Sequence, residues 1–180
     1  MFDNKHMDLL QHYVALQTAI DEESPTYHTA RAAFEHFPMT LSMAELLRLW
    51  FDMHTHGYRG TGSLLSHIHV RTHHNSGLIE RIQRGQTRIN AQARRALCDL
   101  NEYLDFMADP VHYREWMTDG CNARRTHLAD QRARRDYLQA CIDEEDRATA
   151  FMMATHTRLG ADTRLSTLPP DVLRDFIFNK

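Results

Sequence analysis

Leu64-Leu65-Ser66-His67-Ile68-His69-Val70-Arg71-Thr72-His73-His74-Asn75-Ser76-Gly77-Leu78-Ile79-Glu80-Arg81-Ile82-Gln83-Arg84-Gly85 is the stretch on which the reading of this chain turns. Its pattern predicts a short helix over about 63–71, a turn, and a second short helix over about 75–84. Ile79 and Ile82 fall on an inward face, Arg81 and Arg84 on an outward one. Gly85 stands where a helix C-terminal cap needs a residue without Cβ. Thr87-Arg88-Ile89-Asn90 follows, and Asn90 suits the N-cap of a longer helix holding Leu97, Leu100, Tyr103, Leu104 and Met107.

Helical signals continue on both sides. Leu9, Tyr13, Leu16 and Ile20 predict a first helix over about 6–21. Ser24-Pro25 opens a second with Tyr27, Ala30, Phe34 and Phe37 apolar, and Pro38 is expected to stop it. Ser42 and Glu45 make a capping box that opens a third, with Leu46, Leu47, Leu49, Trp50 and Met53 inward. Asp109-Pro110 begins a short helix that Gly120 ends. Residues 122–158 hold neither Gly nor Pro and predict one long helix. Pro169-Pro170-Asp171 begins a short terminal helix. No period-2 strand, internal repeat or low-complexity tract stands out. The expected fold is all-α: a single compact helical domain with a helix-turn-helix-like hairpin, a long helix and a docked C-terminal tail. Residues 1–120 would form the helical domain, and 121–180 the long helix and tail.

Charge is distributed unevenly. The chain of 180 residues has a net charge of −3, and its cations are almost all Arg. Residues 57–95 carry seven Arg against Glu80 alone, a net +6. Residues 1–55 and 96–120 each carry a net −5. A basic block between acidic ones has the form of a polyanion-binding surface. The competing explanation is a solvated charged face.

The 62–107 segment resembles the helix-turn-helix of the phage-repressor and lac-repressor families, in which the second motif helix often ends in a pattern like Ile79, Ile82 and Gly85. The resemblance implies binding to duplex DNA or another polyanion. His74, Asn75, Ser76 and Arg81 would reach base edges in the major groove. Arg71, Arg84, Arg88, Arg94 and Arg95 would contact phosphates. This sequence departs from the family at His69, where a small residue is usual, and at His73, where Gly is often found. The resemblance extends to a transcription regulator or genome-associated viral protein. The tail around Met153–Gly160 and Leu168–Arg174 faintly resembles closing segments in proteins of large DNA viruses. Leu168-Pro169-Pro170-Asp171-Val172-Leu173 also looks like the opening of an F-box, with too little chain behind it for the three helices an F-box needs.

Other chemistry finds less support. His54, His56, His67, His69, His73 and His74 lie close together, but no CxxC and no HExxH accompanies them, so no metal or cofactor is expected. They read mostly as surface or cap residues. Cys98 and Cys141 fall among apolar positions and are expected to fill core space, and Cys121 completes an odd number that argues against a disulfide frame. No nucleophile elbow or phosphate-cradling loop is present, so no enzyme is expected. The long helix carries Arg124, Arg125, Arg132, Arg134 and Arg135, then Asp143–Asp146, and is a candidate homo-oligomer surface. No segment suits a membrane span or secretory signal, so the expected location is intracellular. The alternative function is a non-enzymatic structural or interaction protein, a virion component or adaptor.

Overall fold

Ser42 Oγ accepts a hydrogen bond from the Glu45 amide at 3.1 Å, and Glu45 Oε2 accepts one from the Ser42 amide at 2.9 Å. The capping box therefore forms as its spacing predicts, and it starts the central helix of an all-α fold. In this computed structural model, residues 4–21, 27–58, 61–118, 123–159 and 169–171 are described. Among them are seven helices and no strand: α1 (Asn4–Asp21), α2 (Tyr27–Thr40), α3 (Met43–Thr55), α4 (Thr61–Gln83), α5 (Ala91–Ala108), α6 (Pro110–Thr118) and α7 (Ala123–Leu159). The docking of the C-terminal tail lies outside the described residues.

The core gathers around α3. Met43, Leu46, Leu47, Leu49, Trp50 and Met53 are all buried, so this helix is covered on most of its circumference. Tyr13 of α1, Leu64 and Ile68 of α4, Tyr103, Leu104 and Met107 of α5, Trp116 of α6 and Leu128 of α7 complete the cluster. Trp50 meets Trp116 edge to face at 5.0 Å, and Tyr13 stacks on Phe34 at 4.7 Å. Burial pushes the Tyr13 phenol up to about 12, against the opposing pull of a hydrogen bond with Ser63.

Two expectations about helix ends change. Pro38 does not stop α2, which runs on to Thr40. Pro38 sits in the last turn, where few helical bonds remain to be lost, and Thr40 Oγ1 donates to the Phe37 carbonyl at 2.7 Å. More consequentially, the turn expected between residues 71 and 75 is absent. α4 is one helix of 23 residues. No Gly or Pro interrupts 71–76, and the polar side chains there bond in ways that suit a helix. Thr72 Oγ1 donates to the Ile68 carbonyl at 2.6 Å and Ser76 Oγ to the Thr72 carbonyl at 2.9 Å. Both hydroxyls are buried, and the helix's own backbone satisfies them.

The predicted caps form. Gly85 has φ 67°, its amide donates to the Ile82 carbonyl at 2.9 Å, and the Gln86 amide donates to Arg81 at 2.8 Å, a Schellman arrangement. Gly57, with φ 69°, ends α3 in the same way. Asn90 Oδ1 accepts from the Ala93 amide at 3.1 Å and caps α5. Asp109 Oδ1 accepts from Val111 at 2.7 Å and starts α6.

The chain divides into two units, Met1–Asp136 and Tyr137–Lys180, with the division inside α7. In the second, Leu138, Ile142 and Thr155 are buried, and Gln139 Nε2 donates to Asp143 Oδ1 at 2.8 Å. Cys98, expected in the core, is exposed, and Cys141 is partly buried. Cys98 lies two positions from both Ala96 and Leu100, which turns it to the side of α5 opposite the apolar face they define with Tyr103.

Gly77 tests the continuity of α4. It lies inside the helix, and a Cβ there meets nothing within 4 Å. Gly77→Ala should raise stability by roughly 0.5–1 kcal/mol, read from the denaturant midpoint. A loss instead would mean that the backbone leaves the helix at this point.

Candidate nucleic-acid interface

Five arginines of the basic block flank one connection, that between α4 and α5. Arg81 is in the last turn of α4, Arg84 and Arg88 are in the connection, and Arg94 and Arg95 are in the first turns of α5. All five are exposed. The Gly85 cap reverses the chain and Asn90 starts the next helix, so the tip of the α4–α5 hairpin carries them together. Among the described residues, none of Arg81, Arg84, Arg88 and Arg95 enters a salt bridge.

Helix electrostatics accounts for part of this cluster. A cation is favourable at a helix C-terminus, which suits Arg81 and Arg84. Arg94 and Arg95 lie near the N-terminus of α5, where the macrodipole disfavours cations, and its first turn has no acid to offset them. The helix dipole therefore gives no stabilising reason for Arg95 at this position.

The other sequence-predicted residues lie elsewhere. Arg71 is withdrawn into the fold: its Nε donates to Asp99 Oδ2 at 2.8 Å, its Nη2 to Asp99 Oδ1 at 2.6 Å, and its Nη1 to the Leu41 carbonyl at 2.6 Å. Asn75 Nδ2 donates to the same carboxylate at 3.0 Å. Ser76 is buried and accepts from Arg134 Nη1 at 2.6 Å. Arg71, Asn75 and Ser76 thus each make internal contacts. His74 is exposed on α4, and Arg81 belongs to the tip.

Sequence reasoning gave no role to Asp99 or His127 and placed Arg134 on a candidate homo-oligomer surface. Asp99 had a visible signal, a carboxylate on the apolar face between Ala96 and Tyr103. His127 and Arg134 join His69, His73, Ser76, Gly77, Glu80 and Asp130 around a polar cleft of about 590 Å³. His69 stacks on Trp116 at 5.8 Å, and His127 meets Tyr103 edge-on at 6.3 Å. Among the described residues, no three His, Cys, Asp or Glu side chains are placed to hold a metal ion. His54 and His56 serve the fold: His54 stacks on Trp50 at 5.2 Å, and His56 Nδ1 lies 2.8 Å from the Asp52 carbonyl at the end of α3. No described helix is long and apolar enough to cross a membrane.

No family model matches this chain, and no curated protein or solved structure matches it.

Asp99 is buried and carries two bonds from Arg71 and one from Asn75. Removing it leaves a partly buried guanidinium and an amide without their acceptor. Asp99→Ala should cost roughly 2–4 kcal/mol in equilibrium unfolding, below the full buried-pair range because Arg71 is partly exposed. A cost under about 0.5 kcal/mol, the level of an ordinary surface substitution, would contradict this role.

Proposed function

We propose that the protein binds duplex DNA through the arginine tip of the α4–α5 hairpin. The observation that carries this reading is the gathering of Arg81, Arg84, Arg88, Arg94 and Arg95, all exposed, in a chain whose net charge is −3. A concentrated cationic surface on an acidic chain attracts a polyanion locally, while the rest of the molecule repels it. Arginine suits the role because its planar fork matches phosphate oxygens bidentately.

The reading differs from groove recognition by the middle of α4. Asn75 and Ser76 are held by Asp99 and Arg134, so the tip contributes phosphate contacts, which position a protein without reading sequence. His74 and Arg81 remain the exposed candidates for contacts to base edges.

A second reading, a protein-interaction module, draws on one observation: Arg71 is matched to Asp99 of the following acidic segment. Extended to a partner, the same complementarity would seat the tip on an acidic protein surface. The two readings separate on whether duplex DNA is bound at low salt.

Binding to mixed-sequence duplex DNA, followed by fluorescence anisotropy across a salt series, tests the proposal. Four phosphate contacts, from Arg84, Arg88, Arg94 and Arg95, give a log–log slope of about −3.6. Arg84→Ala and Arg88→Ala should each shallow the slope by about 0.9 and weaken all sequences alike. Asn75→Ala should leave sequence preference unchanged. Absence of binding at low salt, or a flat salt dependence, would sink the reading.

A further inference from the structure

The cleft between α4 and the beginning of α7 pairs two helix faces that carry ionisable groups where packed helices ordinarily present apolar ones. α4 contributes His69, His73 and Glu80, with Ser76 and Gly77 between them. α7 contributes His127, Asp130 and Arg134. The elements behind supply Tyr103 of α5 and Trp116 of α6, neither of them charged at neutral pH. With neutral histidines the cleft holds Arg134 against Glu80 and Asp130. Each protonated histidine adds a cation to a partly enclosed space that already contains Arg134.

The hold on this part of α7 is slender. Leu128 joins the core cluster. Arg134 donates to Ser76 at 2.6 Å and reaches Glu80 at 3.5 Å, and Arg135 Nη1 reaches Asn101 Oδ1 at 3.4 Å. Against these, Gln131 is fully buried with its Nε2 3.4 Å from the His127 ring nitrogens, while its Oε1 has no partner among the described residues, a desolvated acceptor that opposes docking. Small changes in charge therefore weigh heavily in the balance.

We propose that this cleft is an acid-released catch: neutral histidines let the 127–136 stretch of α7 lie against α4, and protonation of His127 drives it off. Burial holds the His127 imidazole below its ordinary range, His69 and Arg134 push the same way, and Asp130 opposes them. The docked state thus binds fewer protons than the released one, whose imidazole titrates near the ordinary 6.5. Docking is complete above that pH and weakens as pH falls through it toward the lower docked value. Release also frees Arg134 from Ser76 and Glu80. The catch does not depend on nucleic-acid binding, and its test uses none.

The test is backbone hydrogen exchange of the intact protein at pH 7.5 and 5.5, corrected for the intrinsic rate, with α3 as internal reference. Residues 127–136 should lose several-fold in protection at the lower pH, up to about tenfold because pH 5.5 lies one unit below the released value, while α3 keeps its protection. In His127→Gln, which cannot charge, this loss should disappear. Should that variant not fold, titration of the His127 ring by NMR in the unaltered protein decides: a midpoint below 6.5 supports the catch. Unchanged protection of 127–136, an equal loss in α3, persistence of the loss in His127→Gln, or a His127 midpoint at or above 6.5 would overturn it.

Discussion

A single carboxylate ties together three parts of the molecule. Asp99 of α5 accepts two hydrogen bonds from Arg71 and one from Asn75, both on α4, and Arg71 also donates to the Leu41 carbonyl between α2 and α3. The fork of the guanidinium fixes direction as well as distance, so α4 cannot slide along α5 without breaking at least two charged bonds. Such a buried pair adds little net stability over an apolar substitute, but losing one partner is costly, and this makes it effective at fixing register. Register matters here because the hairpin tip is built from both helices. Arg81 lies ten residues beyond Arg71, roughly 15 Å along α4, and Arg94 and Arg95 lie within about one turn and a half of Asp99. Slippage at the carboxylate would separate the arginines that the connection brings together.

Local signals in the sequence were reliable where the physics is local. The Ser42–Glu45 box, the Asn90 cap and the Gly85 cap each involve residues within a few positions of each other, and each forms as expected. The all-α fold and the apolar faces of α3 and α5 follow from helical periodicity. What could not be read was the fate of the polar residues in 71–76. Arg71, Asn75 and Ser76 find their partners 28, 24 and 58 positions away. A polar side chain bound for a buried partner and one bound for water are identical in a sequence pattern. The expected turn falls in a run of Arg, Thr, His, His, Asn and Ser whose hydroxyls and amide make internal bonds. The histidine cleft was hidden for the same reason, since His127 is 58 residues from His69.

The continuity of α4 changes which residues share a surface. In one helix, His67, Val70, His74 and Arg81 are spaced by three, four and seven residues and fall on one side. Val70, His74 and Arg81 are exposed, so this side leads toward the arginine tip. His69, His73, Ser76, Gly77 and Glu80 form a different side, facing the cleft. A helix broken near residue 73 would scramble both assignments. The unbroken helix instead separates an outward face that ends in exposed arginines from a cleft face whose charges are matched against α7.

Arg134 shows how the two faces are kept apart. It is a cation that the block of 57–95 does not include, yet it reaches α4 and bonds Ser76 and Glu80. Glu80 is the one acid of that block, and its attachment to Arg134 removes it from competition for the arginines of the tip. Arg81, adjacent in sequence but about 100° round the helix, is left unpaired among the described residues. The charge presented at the hairpin tip is therefore set partly by α7. An arginine more than fifty residues away neutralises the acid that would otherwise sit beside the five cations, so the docking of α7 and the field at the tip are two aspects of one electrostatic arrangement.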